Sequence, residues 1–360
     1  MNKRKIFDRI PNSFLFLTLV ILLSFKLVIY ILVKNQLIRF SLGGGSDADY
    51  YHTYATGGVN LATSIWPVIL RYLNDINLYS RDFISYMLFF LSLSVIPIVV
   101  ARLAGIGLRG NQKYYFYIFL ICLLYPTLYF FTFDIYRDVF MVLIFLIGCL
   151  AVKASLTTNN LLKFIFLFLV SIFIGLFLAA LRPYLGVAFI GALFLWHIRF
   201  TKRRVILLSI LYLLALFIAN YIGVFDAITE YREAFEEGEG GSTLGLNFSN
   251  PILFIPNFIL STLGQLFGLY ITNPLAIVLL FIETVPFFFM LIYVIKNVKL
   301  ADSFVRFLII FFVLYASVWL IGNDNLGTAV RLRIYNYLAI YISFFYILRL
   351  KTQSLKDNRL

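Results

Sequence analysis

Charge is scarce in this chain. Of 360 residues only 13% are charged, and 62% are hydrophobic. A soluble domain of this length carries nearly twice that charge, so a wholly water-exposed globular surface is excluded. Thiols and imidazoles are nearly absent, at two of each. Cys122 and Cys149 both fall inside apolar runs, which excludes a disulfide framework and a CxxC metal pattern and leaves them as core packing residues. Phosphate-cradling glycine loops are also lacking. There is no Walker A loop, no dinucleotide glycine pattern, no HExxH and no nucleophile elbow. These absences argue against a nucleotide-driven pump and a standard hydrolase.

What is present is length of apolar sequence. The mean hydropathy is +0.93, and several runs reach the roughly 20 residues that cross a hydrocarbon core about 30 Å thick. Ten spans are expected, at about 13–33, 83–101, 114–132, 139–156, 164–181, 184–198, 205–223, 274–295, 304–321 and 334–349. The fifth and sixth are parted only by "RPY" at 182–184, which predicts a tight hairpin. No internal repeat or low-complexity linker divides the chain, so the expectation is one all-α polytopic domain over 1–360. The run after "MNKRKIFDR" is too long for a cleavable signal.

The basic residues orient it. With the N-terminus in the cytoplasm, 20 of 30 basic residues fall on inner segments and nine on outer ones, while 13 of 17 acids are external. The formal charge of +13 then reflects inner loops rather than nucleic-acid binding. An even number of spans places both termini inside. Two long external loops result, about 34–82 and 224–273, each expected to carry short interfacial helices, with Trp66, Tyr72 and Tyr79 at headgroup depth.

Candidate chemistry sits on the outer side. Eight of the nine outer basic residues are arginines, whose planar fork matches phosphate oxygens in pairs. Arg137, Arg182, Arg331 and Arg333 stand at span ends against the charge bias. They serve either as ion-pair and headgroup contacts or as a pocket for a lipid-linked phosphate or diphosphate. "FDIYRDVF" spaces Asp134, Arg137 and Asp138 so that a helix would put them on one face, as a local salt bridge or as an oriented anion ligand. "SDADYYH", after a glycine run, offers Asp47, Asp49 and His52. The two carboxylates suit a general base or a divalent-metal site, and the surrounding tyrosines suit sugar rings. The alternative is a solvated loop with an incidental acid pair. Lys26 and Glu283 lie inside spans, where a charge is costly enough to demand a partner, each being a candidate for the other. An outward-facing enzyme has no ATP. It needs an activated donor delivered through the membrane, and a polyprenyl-linked sugar is one.

This arrangement resembles the GT-C membrane glycosyltransferases, through the acidic first external loop "SDADYYHTYA" and the long fourth one at 224–273. It is also similar to Wzy-type polymerases of O-antigen and capsule, through "YRDVF", "LRPYL" and "RLRIYNY". It departs from the latter in that its third external loop is only the "RPY" turn. The resemblance implies a bacterial inner-membrane transferase or polymerase of surface polysaccharide. Asp47 or Asp49 would act as base, and Arg182, Arg331 and Arg333 would hold the carrier phosphate. The implied partners are a polyprenyl-phosphate-linked donor, a saccharide acceptor, membrane lipid and other polysaccharide-assembly proteins. No cofactor is implied beyond a divalent metal at Asp47 and Asp49. A flippase or transporter of lipid-linked saccharide and a membrane O-acyltransferase of surface sugars are the rival expectations.

Overall fold

In the computed structural model, residues 10–38, 45–233 and 242–357 are described. Gly43, Gly44 and most of the acidic run at 230–239 lie outside them. The protein is an all-α, polytopic membrane protein. Among the described residues, seven helices are long and apolar enough to cross a bilayer: α1 (Asn12–Lys34), α4 (Arg81–Leu103), α7 (Arg137–Thr157), α8 (Leu161–Leu181), α10 (Arg203–Tyr221), α13 (Pro274–Lys296) and α14 (Ser303–Gly322). Between them lie α2 (Gly45–Ala55), α3 (Ile65–Asp75), α5 (Gln112–Leu124), α6 (Pro126–Phe130), α9 (Pro183–Leu195), α11 (Asp226–Glu233) and α12 (Pro251–Leu266). The last helix is α15 (Leu326–Asp357).

Proline chemistry explains where the apolar runs depart from simple spans. The expected span at 114–132 is two helices. Tyr125 precedes Pro126 and is driven to φ −74, ψ 101, outside the helical region, so α5 stops after 13 residues. At 1.5 Å per residue it is about 20 Å long. Inside α4 and α13, Pro97 and Pro286 are each preceded by a π-helical turn, Leu91–Val95 and Leu280–Thr284. A proline ring collides with the carbonyl four residues back and supplies no N–H. One extra residue in the turn relieves both problems without breaking the helix. A third π turn, Thr262–Leu266, closes α12 before Gly268, whose φ of +60 suits glycine.

The "RPY" hairpin forms as expected. Arg182 is extended at φ −155, ψ 108, α8 ends on it and Pro183 opens α9. The two helices then touch backbone to backbone. A Cβ on Gly186 would lie 2.2 Å from Ala179 N and 2.4 Å from Gly175 O, so this contact requires glycine.

The chain packs as two compact units, residues 1–147 with 348–360, and residues 148–347. Cys122 and Cys149 are buried free thiols, as expected. Every residue from Leu332 to Leu348 on α15 is buried. That explains why an expected span contains Asn336, Ser343 and several tyrosines: these side chains face protein. Asn336 Nδ2 donates to Phe312 O at 2.8 Å, and Trp319 Nε1 donates to Asn336 Oδ1 at 2.9 Å.

Trp66 is 1% exposed and packed against protein; its indole N–H donates to Ile135 O at 2.9 Å and its ring lies on Phe140. It stands on the buried stripe of an amphipathic α3, with Leu70 one turn on. Lys26, in the first unit, sits over the Tyr129 ring at 4.0 Å, and Glu283, in the second, is met by Arg333 at 2.8 Å.

Candidate functional site

Helix α2 places the acidic motif. Ala48, Tyr51 and Ala55 are buried at helical spacing and seat the helix, which leaves Asp49 and Thr53 on the exposed side. Asp47 lies in the first turn, partly buried, where a carboxylate complements the helix dipole. His52 is one turn beyond Asp49. Its Nδ1 is 2.8 Å from Tyr79 Oη, and the two rings stack with centroids 5.9 Å apart. Burial pushes the Tyr79 phenol up to about 12, partly offset by the neighbouring Arg81.

Arg81, the first residue of α4, is the hub. Its Nη2 donates to Asp49 Oδ1 at 2.7 Å and to Asp134 Oδ2 at 2.6 Å, and its Nε donates to Asp134 Oδ1 at 2.8 Å. Asp134 Oδ1 also accepts from the backbone N–H of Ile135 at 2.8 Å. The carboxylate of Asp49 remains 68% exposed and that of Asp134 only 26%. One guanidinium therefore draws a fixed carboxylate and an accessible one together. Tyr50 organises the adjoining loop: its hydroxyl donates to Leu61 O at 2.6 Å and accepts from Thr63 N at 2.9 Å.

The expected shared face of Asp134, Arg137 and Asp138 does not form. Helix α7 begins at Arg137, so Asp134 lies in the preceding non-helical segment and turns to Arg81. Asp138 is buried and Arg137 partly buried in the first turn of α7. Among the described residues no three His, Cys, Asp or Glu side chains gather in a metal-binding group. The cation that bridges Asp49 and Asp134 is a guanidinium.

The remaining arginine candidates belong to the second unit. Arg182 is 5% exposed and lies over the Tyr184 ring at 5.8 Å, with Tyr184 beside Tyr315 and Tyr315 edge-on to Tyr335. Arg333 is 3% exposed. Its Nη2 donates to Glu283 Oε2 at 2.8 Å, and its guanidinium lies over Tyr337. Gly268 makes room for it, since a Cβ there would be 2.7 Å from Arg333 Nη1. Arg331, two residues earlier on α15, is partly exposed.

Two groups with central places are not sequence candidates. Arg81 is one; the signal for it is a cation in the first turn of a helix, the end whose dipole disfavours positive charge. Arg232 is the other. It is 2% exposed, forms an ion pair with the buried Asp324, and donates to the carbonyls of Leu246, Leu320, Ile321 and Asn323. Gln265 completes this centre, donating to Asn323 O at 2.7 Å and to Ser261 Oγ at 2.8 Å.

No family model matches the chain, and neither does any curated protein or solved structure.

Proposed function

We propose that this protein is a bacterial inner-membrane glycosyltransferase or polymerase of surface polysaccharide, with ten spans and both termini cytoplasmic. The split of 20 inner to nine outer basic residues supports that orientation. The observation that carries the reading is the set around Arg81: an exposed Asp49 carboxylate, held by an arginine that a second carboxylate locks in place, on a tyrosine-rich helix outside the long apolar helices. Such a carboxylate accepts the proton of an acceptor sugar hydroxyl. The oxygen then bonds to the anomeric carbon of a polyprenyl-linked saccharide, the bond to the carrier phosphate breaks, and that phosphate leaves with the electron pair. Arginine forks at an outer span end are the groups that stabilise a departing phosphate of this kind.

The test is surface-glycan analysis of a strain carrying Asp49→Asn, a nearly isosteric change. Normal abundance of the protein with loss of long chains, one repeat unit being retained, supports a polymerase. A missing side-branch sugar supports a single-sugar transferase. Full-length glycan made at the normal rate would sink the reading.

A second reading has its own observation. The break at Tyr125 divides an apolar run into two short helices, and discontinuous helices are a feature of transporters. Movement of a lipid-linked saccharide across reconstituted vesicles, with no new glycosidic bond, would favour a flippase.

A further inference from the structure

From Val139 to Phe225 the chain contains no aspartate and no glutamate. Within this stretch the turn between α9 and α10 carries "WHIRFTKRR", residues 196–204. Arg199, Arg203 and Arg204 are exposed there. None of the three guanidinium groups enters an ion pair or a hydrogen bond among the described residues, in contrast to Arg81, Arg232 and Arg333. Their sign is also the one a helix start disfavours, since α10 begins at this turn with no acidic residue in its first turn.

The same turn forms a cleft of about 530 Å³ lined by His197, Ile198, Arg199, Arg204, Leu207 and Leu208. Its lining is cationic toward the turn and apolar toward α10. The apolar side continues along that helix through Leu207, Leu211 and Leu214, which share a face with Arg204 and are each at least half exposed. A ligand that matches has an anionic head and a hydrocarbon body.

We infer that this cleft is a binding site for an anionic phospholipid of the phosphatidylglycerol type. The phosphodiester sits between Arg199 and Arg204, and the acyl chains lie along the Leu207, Leu211 and Leu214 stripe. Arginine forks fit phosphate oxygens in pairs, and basic residues next to a span are drawn to anionic headgroups. The inference is independent of the glycosyl-transfer reading, because it uses no residue of the Arg81 set.

The chain reports on this site itself. Of its three tryptophans, Trp66 and Trp319 are each 1% exposed, and Trp196 adjoins His197 at the cleft. In vesicles, lipid with brominated acyl chains quenches tryptophans it touches. At equal mole fraction, brominated phosphatidylglycerol is expected to quench more strongly than brominated phosphatidylcholine, and Trp196→Phe to abolish that difference. Arg199→Gln with Arg204→Gln should weaken the preference about tenfold, whereas Arg109→Gln, which removes a cation outside the cleft, should leave it intact. Equal quenching by the two lipids in the wild type would overturn the inference. So would a preference that survives the double substitution, or one that excess inorganic phosphate removes, since that would mark a site for a soluble anion.

Discussion

Arg81 and Asp134 are joined by two hydrogen bonds, Nε to Oδ1 at 2.8 Å and Nη2 to Oδ2 at 2.6 Å. This pairing fixes the guanidinium plane and leaves Nη2 also aimed at Asp49. The two carboxylates therefore differ in kind. Asp134 holds Arg81 and the start of the Ile135 segment, and Asp49 is the accessible member.

Separate effects are expected from the two asparagine substitutions. Asp134→Asn removes a charged partner from three donors and should lower stability by about 2 kcal/mol. Asp49→Asn loses one exposed pair and should cost about 1 kcal/mol or less, yet reduce glycan product by about a hundredfold if Asp49 is the base. Thermal unfolding in detergent beside glycan analysis checks both. Equal losses of stability would refute the division of roles.

The Arg333–Glu283 pair admits a similar dissection. Arg333→Gln leaves Glu283 buried beside an uncharged group and should cost about 3 kcal/mol or more, seen as loss of accumulated protein. Adding Glu283→Gln removes the stranded charge and should restore abundance. If the double variant also makes normal glycan, Arg333 is not a carrier-phosphate ligand and its role is to join α13 to α15.

Arg232 is expected to tolerate no substitute. Lysine keeps the charge but cannot reach four carbonyls and Asp324 together. Arg232→Lys should therefore loosen the 242–248 segment. A cysteine placed at Leu246 should react with a thiol reagent several-fold faster in the lysine background. An unchanged rate would mean that the ion pair does not hold this segment.

Alkaline stability should report Tyr79. Its phenol is raised in the folded protein, from an ordinary value of 10.0 to about 12. Its contribution is thus complete below pH 10, falls as the unfolded state deprotonates between pH 10 and 12, and levels off above that. Wild type minus Tyr79→Phe, measured by unfolding across pH 9 to 12, should isolate this slope. Parallel profiles for the two proteins would exclude it.

How much of this was legible beforehand depends on whether an interaction is local. Membrane character, the long apolar helices, the "RPY" hairpin and the two buried cysteines follow from composition, run length and near-neighbour chemistry. The even spacing of "FDIYRDVF" misled, because a helix start at Arg137 excludes Asp134, and no periodicity marks that boundary.

The tertiary structure alone decided which charge meets which. Arg81 finds Asp134, Glu283 finds Arg333, and Arg232 finds Asp324, each pair far apart in the chain. Hydrophobic run length acts residue by residue and can be read along the chain. A buried charge accepts whatever counter-charge packing brings within about 4 Å, so its partner is a property of the fold.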